Sequence, residues 1–245
     1  RVQVSTFGEG DGGELSVTAT DINIFRTINS GATGIFAEVD GDATGNGGNV
    51  EIEASSLSVN DNTGISVGTF GVGNAGNLTI NSDRLAVNNG SQVSASTFGE
   101  GNAGNLVVNA TESVELSGND NSITGLFAQV NPGATGTGGN LDLTTADLNI
   151  SNGGRVQVST FGTGDAGELT VSATDINIFR TIENTGDTGI FAQVARNATG
   201  NGGNVNVDTN NLSVNDGTQV SVSTFGAGNA GELTITADNL VEVRG

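Results

Sequence analysis

The sequence predicts an all-β protein, a parallel β-helix (β-solenoid) that spans residues 1–245 as a single repetitive segment. A block reading Gly-Gly-Asn-Leu, or a near variant, recurs eight times at intervals of 28 residues, with three longer intervals of 35, 35 and 36. Apolar and polar residues also alternate in short runs at a fixed phase of each repeat. A fixed period in this range is typical of a solenoid, in which each repeat is one unit stacked on the next. The second glycine of the block falls at Gly13, Gly48, Gly76, Gly104, Gly139, Gly167, Gly203 and Gly231.

One repeat, beginning at Gly76, shows the elements of a coil. Apolar residues alternate over 78–80, 85–87 and 93–97, and turn residues follow each run at 82–83, 88–90 and 99–101. Alternation of this kind indicates strands, and no run is long enough for a helix. The sequence therefore predicts three short strands per coil, about 28 residues in a regular coil and 35–36 in a long one. At about 4.8 Å per coil, the chain would form a rod about 40 Å long.

The residues after the repeated glycine predict two axial columns. The first column points inward, and the second, of Asn or Glu, forms a hydrogen-bonded ladder that satisfies backbone amides at a turn. A cation held by Glu14, Glu168 or Glu232 is the alternative for that second column. The inward column is Leu15, Val50, Leu78, Leu106, Leu141, Leu169, Val205 and Leu233. The ladder is Glu14, Asn49, Asn77, Asn105, Asn140, Glu168, Asn204 and Glu232.

A Thr-Phe-Gly motif ends the third predicted strand in five repeats. Strand alternation places its phenylalanine on the outer face, and the following glycine permits a bend that would half-bury the ring. We favour a half-buried aromatic at a corner, and an exposed stacking platform for sugars is the alternative. The five residues are Phe7, Phe70, Phe98, Phe161 and Phe225.

The three long coils begin at Gly13, Gly104 and Gly167. Their third strands keep an inward apolar phase, which turns Phe36, Phe127 and Phe191 outward. We expect the inserted segment before each strand to fold back so that its isoleucine covers this ring, with Phe25 and Phe179 helping in two coils. The alternative is that the insertions are partner-contacting tips, because solenoid insertions collect on one face. The three isoleucines are Ile28, Ile123 and Ile182.

Composition excludes several kinds of chemistry. The chain has no Cys and no His, so thiol nucleophiles, disulfides, Cys/His zinc sites and Ser-His-Asp triads are impossible. The net charge of −20 disfavours nucleic acid and anionic membranes as partners. No apolar run approaches the roughly 18 residues of a membrane span. The chain starts and stops in mid-repeat, and we expect it to be a segment of a longer repetitive chain or fibre.

No catalytic, cofactor-binding or metal-ligating residue is predicted, and we do not expect an enzyme. Glycan cleavage would need paired carboxylates, but the available ones occupy turns or a solvated strand face. Calcium binding is kept only as an alternative, because the nine-residue spacing of calcium β-rolls is missing. The carboxylates considered are Asp11, Asp40, Asp42, Asp187, Glu51 and Glu53.

Segments 73–80, 85–87 and 92–99 together resemble the repeats of filamentous-haemagglutinin-like exoproteins, above all the large repetitive ones of cyanobacteria. The resemblance covers essentially the whole chain. It implies a right-handed β-helix shaft, export by two-partner secretion across the outer membrane, and a role in adhesion or surface fibres. The family's N-terminal secretion domain and receptor-binding tip have no counterpart in this sequence.

Together these features predict an extracellular or cell-surface structural shaft of a fibre or adhesin. The alternative is a glycan- or calcium-binding adhesive module that acts through the long-coil loops. The expected partners are copies of the chain or flanking repeats stacked end to end, with surface glycans as further candidates. Neither nucleic acid nor insertion into a membrane is expected.

Overall fold

The computed structural model describes residues 1–28, 31–119, 122–181 and 186–245. The chain forms a β-solenoid of about eight turns, and the described residues contain no helix. Strands alternate strictly between two parallel sheets of eight strands each, and every strand except the two at the edges of each sheet pairs with its equivalents one coil above and one coil below. The predicted fold class is confirmed.

The even-numbered strands form one sheet, called here the long-strand sheet. Their bounds are β2 (Leu15–Ile24), β4 (Val50–Val59), β6 (Leu78–Asn88), β8 (Leu106–Ser117), β10 (Leu141–Ser151), β12 (Leu169–Phe179), β14 (Val205–Asn215) and β16 (Leu233–Arg244). The odd-numbered strands form the short-strand sheet. Their bounds are β1 (Val2–Gln3), β3 (Gly34–Val39), β5 (Gly64–Thr69), β7 (Gln92–Thr97), β9 (Thr124–Val130), β11 (Gly154–Thr160), β13 (Gly189–Val194) and β15 (Gln219–Thr224).

The prediction of three strands per coil is wrong in one respect, because the first two predicted strands are one continuous strand. In β6 the predicted turn at 82–83 is a single residue, Asp83, that is skipped in the pairing with β4. Inward residues fall at 78, 80 and 82 before this point and at 85 and 87 after it, so the strand changes phase there. One unpaired residue bends a strand without ending it, and pairing resumes at Arg84.

The core is a set of aliphatic columns between the two sheets. Leu78, Ile80, Leu85 and Val87 of β6 are buried to 1% exposure or less, and so is Val93 of β7. The predicted inward column is in register from Leu15 to Leu233. Its six middle members are 0–1% exposed. Aliphatic side chains stacked on their own kind therefore supply the core.

The Gly-Gly-Asn block forms a corner before each long strand, called here the glycine corner. Backbones of adjacent coils meet there so closely that a Cβ on Gly104 would lie 1.7 Å from the carbonyl oxygen of Gly76. A Cβ on Gly139 would likewise lie 1.8 Å from the oxygen of Gly104. The repeated glycine is thus required by contact between coils, and the sequence block that reveals the period marks that contact.

Candidate functional site

The outer face of the short-strand sheet carries the aromatic and polar side chains that remain available for recognition. It is bounded on one side by the long-coil insertions, which lie between a long strand and the following short strand. On the other side it is bounded by the phenylalanines of the Thr-Phe-Gly motifs. We call these five residues the Phe row: Phe7, Phe70, Phe98, Phe161 and Phe225.

The phenylalanines in the short strands β3, β9 and β13 of the long coils lie on this outer face, as predicted. Phe36, Phe127 and Phe191 are not members of the core between the sheets. Phe127 and Phe191 both pair in register with Gln157 of β11, whose side chain is also turned away from the core. The three rings are nevertheless only 8%, 3% and 2% exposed. Something on the outer face must therefore cover them.

The predicted covers are wrong where they can be assessed. Ile28 and Ile123 are 70% and 51% exposed, and Phe25 is 55% exposed, so these side chains do not pack as lids. Ile182 lies outside the described residues, and Phe179 is half-buried. Ile28 and Ile123 stay exposed because the insertions surround them with too little apolar surface to bury them.

Arginine covers two of the rings instead. The Arg1 guanidinium lies 4.6 Å from the centre of the Phe36 ring, and that of Arg155 lies 6.0 Å from the centre of Phe191. Both distances fall within the range of cation–π attraction. A signal in the sequence could have revealed this arrangement: residues 1–8 and 155–162 are the same octapeptide, Arg-Val-Gln-Val-Ser-Thr-Phe-Gly, and each precedes a long coil.

The residue at the start of the preceding short strand also ties down the insertion. Arg155 donates from Nε to the carbonyl oxygen of Asp187 at 2.8 Å, and its NH2 lies 3.9 Å from the Asp187 carboxylate. Gln92, in the same register column, donates from Nε2 to the carbonyl oxygen of Ile123 at 3.2 Å. Burial lowers the pKa of Arg155, and the Asp187 charge partly opposes this shift. The Arg155 guanidinium therefore already binds Asp187 of its own chain.

A second titratable group lies at the other end of this face. Burial raises the pKa of Glu38 above 4.5, and Arg1 opposes the shift both by its charge and by a hydrogen bond. The Arg1 NH2 donates to Glu38 Oε2 at 2.7 Å. The same arginine therefore lies over the Phe36 ring and pairs with the half-buried Glu38 carboxylate.

The Phe row is partly stacked and partly open. The rings of Phe70 and Phe98 are 4.6 Å apart with an interplanar angle of 11°, and they are 45% and 42% exposed. Phe161 is half-buried, whereas Phe7 and Phe225 are 66% and 60% exposed. The favoured half-buried corner therefore describes Phe161 alone, whereas the other four rings are exposed, as the alternative expected.

Each long coil interrupts the Phe row. Backbone pairing places Asp40 between Phe7 and Phe70, Asn131 between Phe98 and Phe161, and Ala195 between Phe161 and Phe225. Two of these gaps are hollows. One, of about 500 Å³, is lined by Phe7, Asp40 and Phe70 together with Arg1 and Glu38. The other, of about 340 Å³, is lined by Phe98, Asn131 and Phe161 together with Gln129, Gln157 and Arg155.

The glycine corner carries the predicted ladder through its asparagines, whereas Glu14, Glu168 and Glu232 accept no such bond within the described part of the chain. The Oδ1 atoms of Asn49, Asn77, Asn105 and Asn140 each accept the backbone N–H of the equivalent residue in the next coil at 2.9 Å. A second ladder, three residues earlier, was not predicted. It runs through Asn46, Asn74 and Asn102, with Asp11 and Asp165 accepting in the same way. Both ladders satisfy amides where sheet pairing lapses.

The other carboxylates singled out in the sequence do not converge. Glu51 and Glu53 are half-buried and exposed on the outer face of the long-strand sheet, whereas Asp187 lies beside a long-coil insertion. Among the residues that the structure describes, no three or more carboxylates gather as a metal site would require. The described part of the chain also holds no helix long and apolar enough to traverse a membrane.

Comparisons with known proteins add no relative to this description. A scan against protein-family models, a search of curated proteins and a search of solved structures each returned no match.

Proposed function

We propose that this chain is the structural shaft of a secreted or cell-surface fibre or adhesin. The observation that carries the proposal is the continuity of pairing. All eight strands of each sheet join in parallel, and side-chain ladders bridge the coils at the glycine corner as well. A rod built this way depends on nearest-neighbour contacts only, so its length is set by the number of repeats.

The surface suits a shaft exposed to water. A net charge of −20 keeps an extended rod soluble and opposes side-by-side clumping. The resemblance to filamentous-haemagglutinin-like exoproteins supports a right-handed shaft, export by two-partner secretion and a location outside the cell. These properties come from the resemblance and form part of the proposal.

We propose that the partners of this shaft are flanking repeats or copies of the chain, stacked end to end. In β16 the column positions that are buried elsewhere are open: Leu233 and Ile235 are 37% exposed and Val243 is 74% exposed. In β14, the equivalent residues Val205, Val207 and Val214 are 0–7% exposed because the next coil covers them. We propose that flanking repeats or a second copy of the chain cover β16 in the same register.

Electron microscopy of the native material tests the shaft. Unbranched fibres of uniform width, with an axial repeat of about 4.8 Å in diffraction, are expected. Removing residues 77–104, one regular 28-residue coil, should shorten each unit by one coil and preserve fibre width. Discrete short rods that never join, or a fibre that loses its form after this deletion, would contradict the proposal.

A further inference from the structure

We propose that the two hollows in the Phe row are binding slots for a pyranose ring of a neutral glycan. This inference does not rest on the shaft function. It also differs from glycan binding by the long-coil insertions alone, because the two aromatic walls are phenylalanines at the opposite end of the short strands, whereas the insertion contributes only Ile123, at the far end of the second hollow. The long coils create the slots because they place Asp40 and Asn131 at the positions where a regular coil has phenylalanine.

The spacing of the rings is the first argument. Phe70 and Phe98, one coil apart, stack at 4.6 Å, which shows that rings on adjacent coils face each other directly. Phe98 and Phe161 belong to coils separated by the Asn131 coil, so their backbone positions are about 9.6 Å apart. A flat ring inserted midway would lie about 4.8 Å from each phenylalanine, a normal stacking distance. The slot therefore accepts one ring between two aromatic walls.

The floor of the slot is the second argument. Ser96, Gln129, Asn131 and Gln157 line it with hydroxyl and amide groups. Asn131 donates from Nδ2 to the Thr97 carbonyl and Gln157 donates from Nε2 to Ser159, and within the described part of the chain neither amide oxygen accepts a hydrogen bond. The side-chain amide of Gln129 forms no hydrogen bond within the described part of the chain.

These walls and this floor together fit a sugar. A pyranose presents apolar C–H faces and a rim of hydroxyls, so its faces match the phenylalanines while its rim matches the amides. An aromatic side chain from a partner protein would match only the walls and would leave the floor amides unpaired, which costs free energy when they are desolvated. A few oriented polar groups beneath apolar walls are typical of small-ligand sites.

Charge indicates a neutral glycan. The one cation lining the second slot, Arg155, already donates to Asp187 and lies beside its carboxylate. In the first slot Arg1 is paired with Glu38. The net charge of −20 adds a repulsion that a polyanionic sugar chain would have to overcome. No uncompensated positive charge among the lining residues would attract such a chain.

Isothermal titration of the 245-residue chain with cellohexaose, maltohexaose and mannohexaose tests this proposal, with a hexagalacturonate as the acidic comparison. The decisive variant fills both slots, Asp40→Phe with Asn131→Phe, which closes two of the three gaps in the Phe row. The matched control is Phe25→Ala, an exposed ring remote from the row. At least one neutral hexasaccharide should bind saturably, more than tenfold more weakly to the filled variant and within twofold of wild type to the control.

A second variant keeps the test decisive if the filled one does not fold. Phe7→Ala with Phe161→Ala removes one wall from each slot and should weaken binding roughly fivefold or more, since each stacked ring contributes modestly. Binding of none of the neutral hexasaccharides, a preference for hexagalacturonate, or unchanged binding by a folded filled variant would each overturn the proposal. Fibre formation seen by microscopy would stand in every one of these cases.

Discussion

The glycine corner and the Phe row follow one another along the chain, yet they differ in regularity. The glycine corner keeps its close backbone contact in short and long coils alike, and an Asn ladder continues through both a regular and a long coil. The Phe row changes at every long coil, where Asp40, Asn131 or Ala195 replaces the ring. Uniform features of a solenoid hold the coils together, whereas features that vary from coil to coil are free to serve recognition.

The largest effect should come from adding a methyl group at the glycine corner. In Gly104→Ala the new Cβ would meet the Gly76 carbonyl oxygen at 1.7 Å, so the coils must move apart. We expect a loss of about 3 kcal/mol or more in the free energy of unfolding, measured by urea denaturation. Gly41→Ala is the control, because it lies just past Asp40 and has nothing within 4 Å. Equal losses in both variants would remove the distinction between the two regions.

The ladder should contribute less. Asn105→Ala removes the acceptor for the Asn140 N–H and should cost about 1 kcal/mol, because both groups are exposed and water can replace the bond. Asn105→Asp keeps an acceptor, as Asp11 and Asp165 do in the second ladder, and should recover most of the loss. The ladder account fails if the two substitutions are equally destabilising in the same assay.

Loss of the stacked pair should have a similar or smaller effect. Phe70→Ala removes the 4.6 Å contact with Phe98, and a stacked aromatic pair is worth about 0.5–1.5 kcal/mol. Phe25→Ala, which removes an exposed ring without a ring partner among the described contacts, should stay within about 0.5 kcal/mol of wild type. Thermal unfolding of the two variants compares them. A larger loss of thermal stability in Phe25→Ala than in Phe70→Ala would show that stacking in the Phe row does not stabilise this face.

The smallest effect is the pH dependence that Glu38 imposes. Its pKa is raised above 4.5 in the folded chain, so the folded state holds its proton more tightly than the unfolded state does. The contribution of Glu38 to stability is therefore present below 4.5 and is lost as the pH rises through its folded pKa. Melting temperatures between pH 4 and pH 7 should show this loss in wild type and a smaller one in Glu38→Gln. An unchanged pH profile in the variant would refute the assignment.

The sequence predicted the parts of the fold that repeat. The glycine block, the inward column from Leu15 to Leu233 and the Asn ladder all follow from residue type at fixed phase. The single bent strand was missed, because a residue such as Asp83 is a common turn former and its sequence does not show that pairing resumes immediately after it. The second ladder was missed although Asn46, Asn74 and Asn102 also recur at constant spacing.

The outer face was harder to predict because its contacts join residues of different coils. Alternation correctly turned Phe36, Phe127 and Phe191 outward. Their covers were assigned to isoleucines nearby in sequence, whereas Arg1 and Arg155 reach Phe36 and Phe191 from the preceding coil. The gaps in the Phe row exist because Asn131 pairs in register with Phe98 and Phe161 of the neighbouring coils. The sequence of one repeat does not show which residues of other coils it pairs with.

The most direct test compares the free energies of unfolding of Asn131→Phe and Gly104→Ala. It asks whether the glycine corner is required for folding while the gaps in the Phe row are not. The new ring would continue the stack between Phe98 and Phe161 and replace one hydrogen bond to Thr97. We predict a stability within about 1 kcal/mol of wild type, because stacking offsets the lost bond. A loss as large as that of Gly104→Ala would show that the gap is needed for folding and would contradict this account.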